Sequence, residues 1–528
     1  MITEPKAKPA TNIRSLISVI GASSVGTLIE WYDFYIFGSL ATVLATKFFP
    51  EGNSTAAFLS TLATFAAGFV VRPFGALFFG RLGDLIGRKY TFMVTLLLMG
   101  GATFAIGLIP SYETIGFLAP LLVLILRLLQ GLALGGEYGG AATYVAEHSP
   151  KSERGFWTSW IQTTATIGLF VSLLVIMLTR LSMSKEAFND WGWRVPFLVS
   201  ILMVLISYVI RKNMSESPLF AKVKAEGKTS ASPLKESFGN RYNFKFVLLA
   251  LFGATMGQGV VWYTGQFYAM SFIQKICNVE AMQADGLMTI ALLMGTPFFV
   301  LFGWLSDKIG RKSIMLAGML VAILSYRTIY EKMYQTTNLS NKTEVPGAAR
   351  IDSVTAPNPK EAGGFIMTKT IAKAYTDGTT YEEVIKTKIA ATPAAEAPKP
   401  EIRKTVTIND ADKWTLIWLV FIQVIFVTMV YGPIAAFLVE MFPTKIRYTS
   451  MSLPYHIGNG VFGGLLPAVA TYLATKAKDA NTAAEAAGAA LPNAAPYLEG
   501  LWYPIGVAAV SFVIGLLYID NKNRTTHD

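Results

Sequence analysis

Long apolar runs, broken by short polar stretches, recur along almost the whole chain. About 20 apolar residues is the length an α-helix needs to cross a hydrocarbon core of about 30 Å. Twelve such runs lie near 16–45, 56–80, 91–110, 117–146, 156–180, 193–211, 245–274, 284–304, 313–331, 414–440, 450–474 and 500–519. The pattern predicts an all-α integral membrane protein with twelve transmembrane helices. One stretch, roughly 332–412, has a different character. It is polar, nearly charge-balanced, and carries a Pro/Ala tract, "ATPAAEAPKPE". Within it "IMTKTIAKAY" and "TTYEEVIKTKIAA" read equally as short helices or strands. A small, partly ordered cap on a flexible tether is expected there. An Ala-rich excursion, 475–498, falls on the same side and can meet it.

The short connections alternate in charge. Those containing "GRKY", "SPKSERG", "RKNMSESPLFAKVKAEGK", "DKIGRKS" and "FPTKIRY" are rich in Lys and Arg, whereas those near 46–55, 111–116 and 275–283 are poor in them. The positive-inside rule puts the first set, and both termini, in the cytoplasm and the 332–412 insertion outside it. The polar start, "MITEPKAKPATNIRS", precedes an apolar run too long for a signal peptide and without a clear small-residue cleavage site. It reads as a cytoplasmic tail, 1–15, before a retained first span. The remaining expected divisions are a first bundle at 16–211, a cytoplasmic linker at 212–244, helices seven to nine at 245–331, helices ten to twelve at 413–520 and a tail at 521–528.

Two pairs of stretches repeat. "FFGRLGDLIGRKYTFM" (78–93) matches "LFGWLSDKIGRKSIML" (301–316) through Gly80/Gly303, Asp84/Asp307, Gly87/Gly310, Arg88/Arg311 and Lys89/Lys312, at an offset of 223. "YGGAATYVAEHSPKSERG" (138–155) matches "YGPIAAFLVEMFPTKIRY" (431–448) through Tyr138/Tyr431, Glu147/Glu440, Pro150/Pro443 and Arg154/Arg447, at an offset of 293. Two homologous six-helix halves follow. The offset grows by 70 between the pairs, which locates the extra residues of the second half at the insertion.

Composition narrows the function. Of 528 residues 52% are hydrophobic and 15% charged, and mean hydropathy is +0.44. The net charge of +11 sits in connections bordered by spans, which argues for topology rather than nucleic-acid binding. Cys277 is the only cysteine, so there is no internal disulfide framework. No metal-ligand cluster, phosphate loop or nucleophile elbow is present in the sequence; no enzyme activity, metal or cofactor is expected. Asn338-Leu-Ser340 and Asn341-Lys-Thr343 match the glycosylation sequon, a match common by chance.

The chemistry lies in charges inside the spans. "GTLIEWYDFYIFG" (26–38) carries Glu30 and Asp33, three residues apart and so on one helix face. A charge at mid-bilayer costs about 2.5–3.5 kcal/mol on insertion scales, so its presence calls for a use. Laying "GQGVVWYTGQFY" (257–268) on the first half through Trp31/Trp262 and Tyr32/Tyr263 puts Val261 and Thr264 where the acids stand. The acids therefore do not serve to build the repeat. Glu30 and Asp33 are candidate proton sites, against a structural ion pair of Asp33 with Arg72 or Arg127. Arg127, in "LLVLILRLLQGLALGGEYGG", is a fixed positive charge fit for a substrate carboxylate or a helix-pairing acid. Glu137, further along the same span, is a further proton-site candidate. Arg72 precedes Pro73 and is a substrate contact or the partner of Asp33. Gln130, Gln162 and Gln258 are polar groups in apolar spans, and Trp31, Tyr35, Tyr138, Trp262, Tyr263, Tyr268 and Tyr431 are candidate pocket walls. An aromatic cage suits a quaternary ammonium ligand, whereas the arginines suit an anion. His456 lies alone within a span, where a helix-to-helix hydrogen bond is the ordinary role.

The duplicated loops are read as gates rather than mere topology anchors. Gly80 and Gly87 are expected to let the chain turn tightly between helices, with Gly310 the counterpart of Gly87. Asp84 and Asp307 can accept from a helix N-terminus or pair with a cation. Arg88, Lys89, Arg311 and Lys312 are expected to stay in the cytoplasm. Glu147, Arg154, Glu440 and Arg447 would complete a charge network there.

The duplicated G-x-L-x-D-x-x-G-R-K resembles the signature loop of the major facilitator superfamily. "EWYDF", "RPFGALFFGRLGD", "LRLLQGLALGGEYGGAATYVAEHSP" and "YGPIAAFLVEMFPTKIRYTSMSLPYHIG" resemble its metabolite:proton symporter branch, over residues 14–330 and 414–520. The resemblance implies two six-helix bundles that rock about a central site and import an organic acid or a zwitterionic osmolyte with protons across a bacterial inner membrane. It further implies a monomer whose partners are substrate, proton and bilayer, with no nucleic acid. A non-coupled facilitator or sugar porter, a proton-driven exporter, and a sensor or docking protein using 332–412 are the alternatives. The insertion departs from the typical pattern. The chain also stops soon after the last span, without the C-terminal coiled coil of the osmosensing member, which argues against osmotic gating.

Overall fold

The computed structural model describes residues 13–49, 54–212, 214–357, 364–389 and 400–520. The polar N-terminal tail, the C-terminal tail and most of the Pro/Ala tether lie largely or wholly outside these residues. Twelve long helical segments form the body. Span one is Ile13–Ser39, extended by Ala41–Phe48, and span two is Ser54–Leu85. Spans three to six are Arg88–Ile106, Leu118–His148, Lys151–Leu181 and Arg194–Lys212. Spans seven to nine are Arg241–Lys275, Ala281–Ile309 and Arg311–Thr337, and spans ten to twelve are Asp410–Met441, Arg447–Ala486 and Pro496–Tyr518. Spans three to twelve are each long and apolar enough to cross a membrane by length and composition.

The helices follow their sequence cues. Gly87 (φ +132°) and Gly310 (φ +97°) separate spans two from three and eight from nine, at φ values that side chains disfavour. Gly80 is a correction to the expected turn: it lies within span two and brings that span onto span eleven. A Cβ there would meet the Thr449 Cα at 2.9 Å. Its repeat, Gly303, plays the same part between spans eight and five, where a Cβ would meet the Gly155 carbonyl oxygen at 2.6 Å. Apolar side chains such as Leu202, Leu205, Ile206 and Val209 on span six face outward, as a surface bathed in lipid requires.

Span seven departs from α-geometry twice, in π-helical turns at Leu251–Thr255 and Thr264–Tyr268. Span eleven does so once, at Gly458–Gly463. The two helices cross there: a Cβ on Gly259 would meet the Gly458 carbonyl oxygen at 2.5 Å, and Gln258 and Asn459 exchange two hydrogen bonds of 3.0 Å. Such turns free backbone groups and re-aim side chains, and they recur at functional sites.

The insertion adds a β-sheet to the helical body. β1 (Arg350–Pro357), β2 (Phe365–Ala374), β3 (Thr380–Ile389) and β4 (Glu401–Thr407) form an antiparallel meander in sequence order. "IMTKTIAKAY" and "TTYEEVIKTKIAA" thus resolve into strands: their β-branched residues alternate with Lys and Glu and pair directly, Thr370 opposite Val384 and Lys369 opposite Ile385. The sheet is fastened beside span eight. Val406 N–H donates to the Asn278 carbonyl (2.7 Å), Glu280 N–H donates to Val406 (2.9 Å), and Gln283 and Ile408 exchange two bonds of 3.0 and 2.9 Å. The Ala-rich excursion closes on itself through Asn481 and Asn493, and Tyr497 stacks on Tyr334 at the end of span nine (3.9 Å).

Candidate functional site

Glu30 and Asp33 share a helix but not an environment. Asp33 is saturated: Arg127 Nη1 donates to it at 3.2 Å, Gln130 Nε2 at 2.8 Å and Thr103 Oγ1 at 2.9 Å. Arg127 also donates to Gln130 Oε1 (2.8 Å) and lies 4.4 Å from the Phe37 ring. Of the two partners open to Asp33, it takes Arg127. Glu137 is likewise saturated, by Arg211 Nη2 at 2.5 Å and Thr95 Oγ1 at 2.7 Å, and Arg211 packs over Phe92. Arg211 stands at the end of span six, where a basic residue reads as a topology marker, so this pairing gave no signal in the sequence.

Glu30 is the exception. It is buried and makes no hydrogen bond or ion pair among the described residues. The charged groups that act on it are Arg72, Glu137 and Asp33. Arg72 is half-buried, lies 4.2 Å from the Phe69 ring, and leaves its Nε without a hydrogen-bond partner among the described residues. Arg72 and Glu30 both act on Tyr263, and Glu30 also acts on Tyr138, Tyr431 and Tyr455. The acid and the arginine therefore share one buried neighbourhood walled by tyrosines from both halves.

That wall is continuous. Tyr138 stacks on Tyr455 (3.7 Å, 5° between planes), Tyr431 and Tyr455 share a hydroxyl hydrogen bond of 2.8 Å, and Gln162 Nε2 donates to the Tyr138 hydroxyl at 2.9 Å. The equivalent tryptophans of the two halves meet, Trp31 against Trp262 at 5.2 Å, with Tyr35 stacked beyond Trp31 at 6.1 Å. Trp262 Nε1 and His456 Nε2 are buried without a hydrogen-bond partner among the described residues. Tyr268 is set apart from this group, packed against Phe272 and Tyr330. Tyr455 and Asn459 complete the wall although sequence reasoning passed over both. The π-helical turn that positions Asn459 has no signature in hydrophobic periodicity, and Tyr455 stood beside the more conspicuous His456.

At the end of the molecule bearing the duplicated loops, the two halves are clamped by matched contacts. Asp84 of the first half accepts from the Tyr448 and Thr449 N–H groups (3.3 and 2.8 Å) at the N-terminus of span eleven. Asp307 of the second half accepts from the Gly155 and Phe156 N–H groups (2.9 and 2.8 Å) early in span five. Each acid also pairs with the arginine four residues on, Arg88 at 3.0 Å and Arg311 at 2.7 Å. Arg311 reaches Glu440 (2.6 Å), Arg88 reaches Glu147 (3.5 Å), and Arg447 crosses between halves to Glu147 (3.0 Å). Arg154 is buried and donates to the Ala146 carbonyl at 3.1 Å. Arg88 is fully buried within the clamp, sandwiched against Phe220, rather than standing in water. Lys89 and Lys312 reach the carbonyls that end spans six and twelve, at Lys212 (2.9 Å) and at Ile519 (2.6 Å), where a cation complements the helix dipole. The linker joins the clamp: Glu216 accepts from Arg88 N–H (3.1 Å), Ser217 bonds Glu147, and Glu236 pairs with Lys445. These linker residues carried no repeat and were not anticipated.

At the opposite end the halves diverge around a cleft of about 450 Å³. Tyr35, Leu173 and Arg180 of the first half and Phe267, Asp285 and Thr289 of the second line it. Tyr35 and Phe267 also contact the two tryptophans, so the cleft leads to the aromatic wall. The cleft end is open where the loop end is shut.

The comparisons agree with this architecture. Residues 19–238 match the family model "Sugar (and other) transporter". The α-ketoglutarate permease of Escherichia coli K12 is 30% identical over 505 residues, 96% of this chain and 94% of that protein. The citrate-proton symporter of Klebsiella pneumoniae is 30% identical over 89% of this chain and 88% of its own. The proline/betaine transporter of Escherichia coli K12 is 35% identical over 60% of this chain and 66% of its own. Among solved structures, the proton:xylose symporter XylE superposes with a TM-score of 0.60 over 96% of this chain and 95% of its own, at 16% identity. With its duplicated halves, loop clamp and central aromatic site, the chain is a multi-pass membrane transporter and belongs to the major facilitator superfamily, among the metabolite permeases.

Proposed function

We propose that this transporter is a proton-coupled symporter for a small organic acid, with Glu30 as the proton site and Arg72 as the substrate carboxylate's partner. The observation that carries the reading is that, among the described residues, these two are the intramembrane charges left without a hydrogen-bonded ionic partner near the aromatic wall, while Asp33 and Glu137 are saturated. The loop end and both termini face the cytoplasm, and the cleft and the sheet face outward, in keeping with the Lys- and Arg-rich loop connections.

Coupling follows from charge. A buried site can be closed and carried across cheaply only when it is near neutral. With Glu30 ionised and the site empty, Arg72 balances it. With Glu30 protonated, Arg72 is released to a substrate carboxylate, and the site is again balanced. Proton without substrate leaves a net +1, and substrate without proton a net −1; both are costly to occlude. Proton and carboxylate therefore cross together. Asp33–Arg127 and Glu137–Arg211 hold spans one, three, four and six in place around this site. The aromatic wall packs the apolar part of the substrate.

The test uses purified protein in liposomes carrying a pH-sensitive dye, with a panel of dicarboxylates, tricarboxylates, shikimate, proline and betaine. The wild type should acidify the lumen with an organic acid. Glu30→Gln, fixed in the neutral form, should retain substrate exchange while losing uphill uptake and acidification; uphill uptake by that variant refutes the reading. A second reading rests on the Trp31–Trp262 contact, which suits a quaternary ammonium group. It requires betaine transport that survives Arg72→Gln.

A further inference from the structure

The sheet of the insertion presents two unlike faces. In the register Arg350–Ala372–Glu382–Thr405 and Asp352–Thr370–Val384–Arg403, even-numbered residues of β1, β2 and β3 share one face with odd-numbered residues of β4. That face carries Arg350, Lys386 and Arg403 and bears a groove of about 810 Å³. Lys373 and Tyr381 also line the groove, and Glu280 and Glu382 are its acids. Four cations thus stand against two acids. Lys373 is neutralised by Glu344 at 2.8 Å, whereas the side chains of Arg350, Lys386 and Arg403 make no ion pair among the described residues. The same face also bears Asp352, and the register sets Glu401 opposite Lys386, so its cations exceed its acids by a small margin.

The groove is fixed in a meaningful place. Glu280, at its edge, caps span eight by accepting from Gln283 N–H at 3.0 Å. Asp285, little more than a turn along the same helix, lines the cleft between the halves. The hydrogen bonds from β4 to the Asn278–Glu280 segment hold the sheet against that helix. The groove is therefore bolted to the rim of the cleft.

We propose that the groove is a surface site for small polycarboxylate anions, which holds the substrate beside the cleft before it passes to Arg72. This rests on the organic-acid reading of the central site. Two arginine forks match the geometry of carboxylates, and Lys386 adds a third charge. A recess of net positive charge attracts anions, and focusing of this kind raises local anion concentration and on-rate by about 10–1,000-fold where one sign of charge dominates. The two acids keep the binding weak, as release into the cleft requires. Screening length falls from about 30 Å at 0.01 M salt to about 8 Å at 0.15 M, so the effect must fade with salt.

The test compares three full-length proteins in liposomes: wild type, the groove variant Arg350→Gln/Lys386→Gln/Arg403→Gln, and a control, Lys369→Gln/Lys404→Gln, on the opposite face. At low salt the groove variant should raise the KM for the transported acid about tenfold, the lower bound of such focusing, with Vmax unchanged. High salt should erase the difference, and the control should match the wild type. Citrate is also titrated by calorimetry into detergent-solubilised Arg72→Gln protein, with and without the groove substitutions; binding should require the groove cations. A groove variant with wild-type KM and salt dependence, or equal effects in the control, overturns the groove while acid transport in the wild type leaves the central reading standing. A wild type that takes up betaine but no carboxylate overturns the central reading and the delivery role. Citrate binding lost with the groove cations would then still establish the anion site.

Discussion

Asp33 and Glu30 lie three residues apart, and their different fates are decided by what packs on each side of span one. Spans three and four present Thr103, Arg127 and Gln130 to Asp33, and every one of them donates. Nothing comparable reaches Glu30. From the sequence alone, the pair was visible as two costly acids, but Arg72 and Arg127 were equivalent partners, because helix rotation is not written in apolar spacing. The consequence is a separation of phenotypes. Asp33→Asn leaves Arg127 buried without its counter-ion, a loss of about 3–5 kcal/mol in comparable buried pairs. Its effect is on stability: a large fall in the melting temperature of the detergent-solubilised protein. Replacing both partners together, Asp33→Leu with Arg127→Leu, should cost less than the sum of the single changes, since no unpaired charge remains. Glu30→Gln, which breaks no bond, should melt within a degree or two of wild type. A thermal melt series of Asp33→Asn, Asp33→Leu, Arg127→Leu, the double Leu variant and Glu30→Gln decides it; equal destabilisation by Glu30→Gln and Asp33→Asn would contradict the assignment.

Among the elements, the spans were the most legible and the insertion the least. Twenty-residue apolar runs leave little choice of structure in a membrane, and the duplicated loops fixed the two halves. The insertion's strands mix Thr, Lys, Ala and Ile in short runs, where local preference is ambivalent and the choice is made by the partner strand. The corner that joins the sheet to span ten shows how such a small element is held. Lys342 pairs with Asp377 and Asp412, both at 2.5 Å, and Asn409 caps span ten by accepting from Asp412 N–H. Burial raises the Asp377 carboxyl, but the bonds from Lys342 and from Thr379 outweigh it and bring it from 3.8 down to about 2. A depressed acid stabilises the folded form above its unfolded value and loses that contribution as pH falls toward the folded one. The corner should therefore keep its full strength above about pH 4 and weaken between pH 4 and 2. Hydrogen exchange at residues 375–380, corrected for intrinsic rates, should accelerate over that window, and Asp377→Asn should exchange faster already at neutral pH with no further acid step. Protection that stays constant from pH 5 to 2 in the wild type would exclude the role of this contact.

At the scale of the whole molecule, the repeat is more than ancestry; it is the way the clamp is built. Each half lends an acid to a helix N-terminus of the other, Asp84 to span eleven and Asp307 to span five, and each acid is braced by its own arginine. Glycines at equivalent positions, Gly80 and Gly303, let those helices approach closely enough for the bonds to form. The sequence showed the acids, arginines and glycines as a pattern, but which helix each acid would cap is a property of the packed pair of halves. Because the two contacts are related by pseudo-symmetry, neither closes the loop end alone, and loss of either should open it in part. A hydrogen bond to a charged acceptor is worth about 1.5–3 kcal/mol, so Asp84→Asn or Asp307→Asn should shift the closed-to-open ratio by roughly tenfold or more. Spin labels at the exposed Lys151 and Lys308, one on each half at the loop end, report it as a population of longer distances by double electron–electron resonance. Each single variant should show that population, and the double variant should be predominantly open. If Asp84→Asn opens the loop end and Asp307→Asn leaves the distances at wild type, the clamp is one-sided and the repeat at Asp307 serves topology instead.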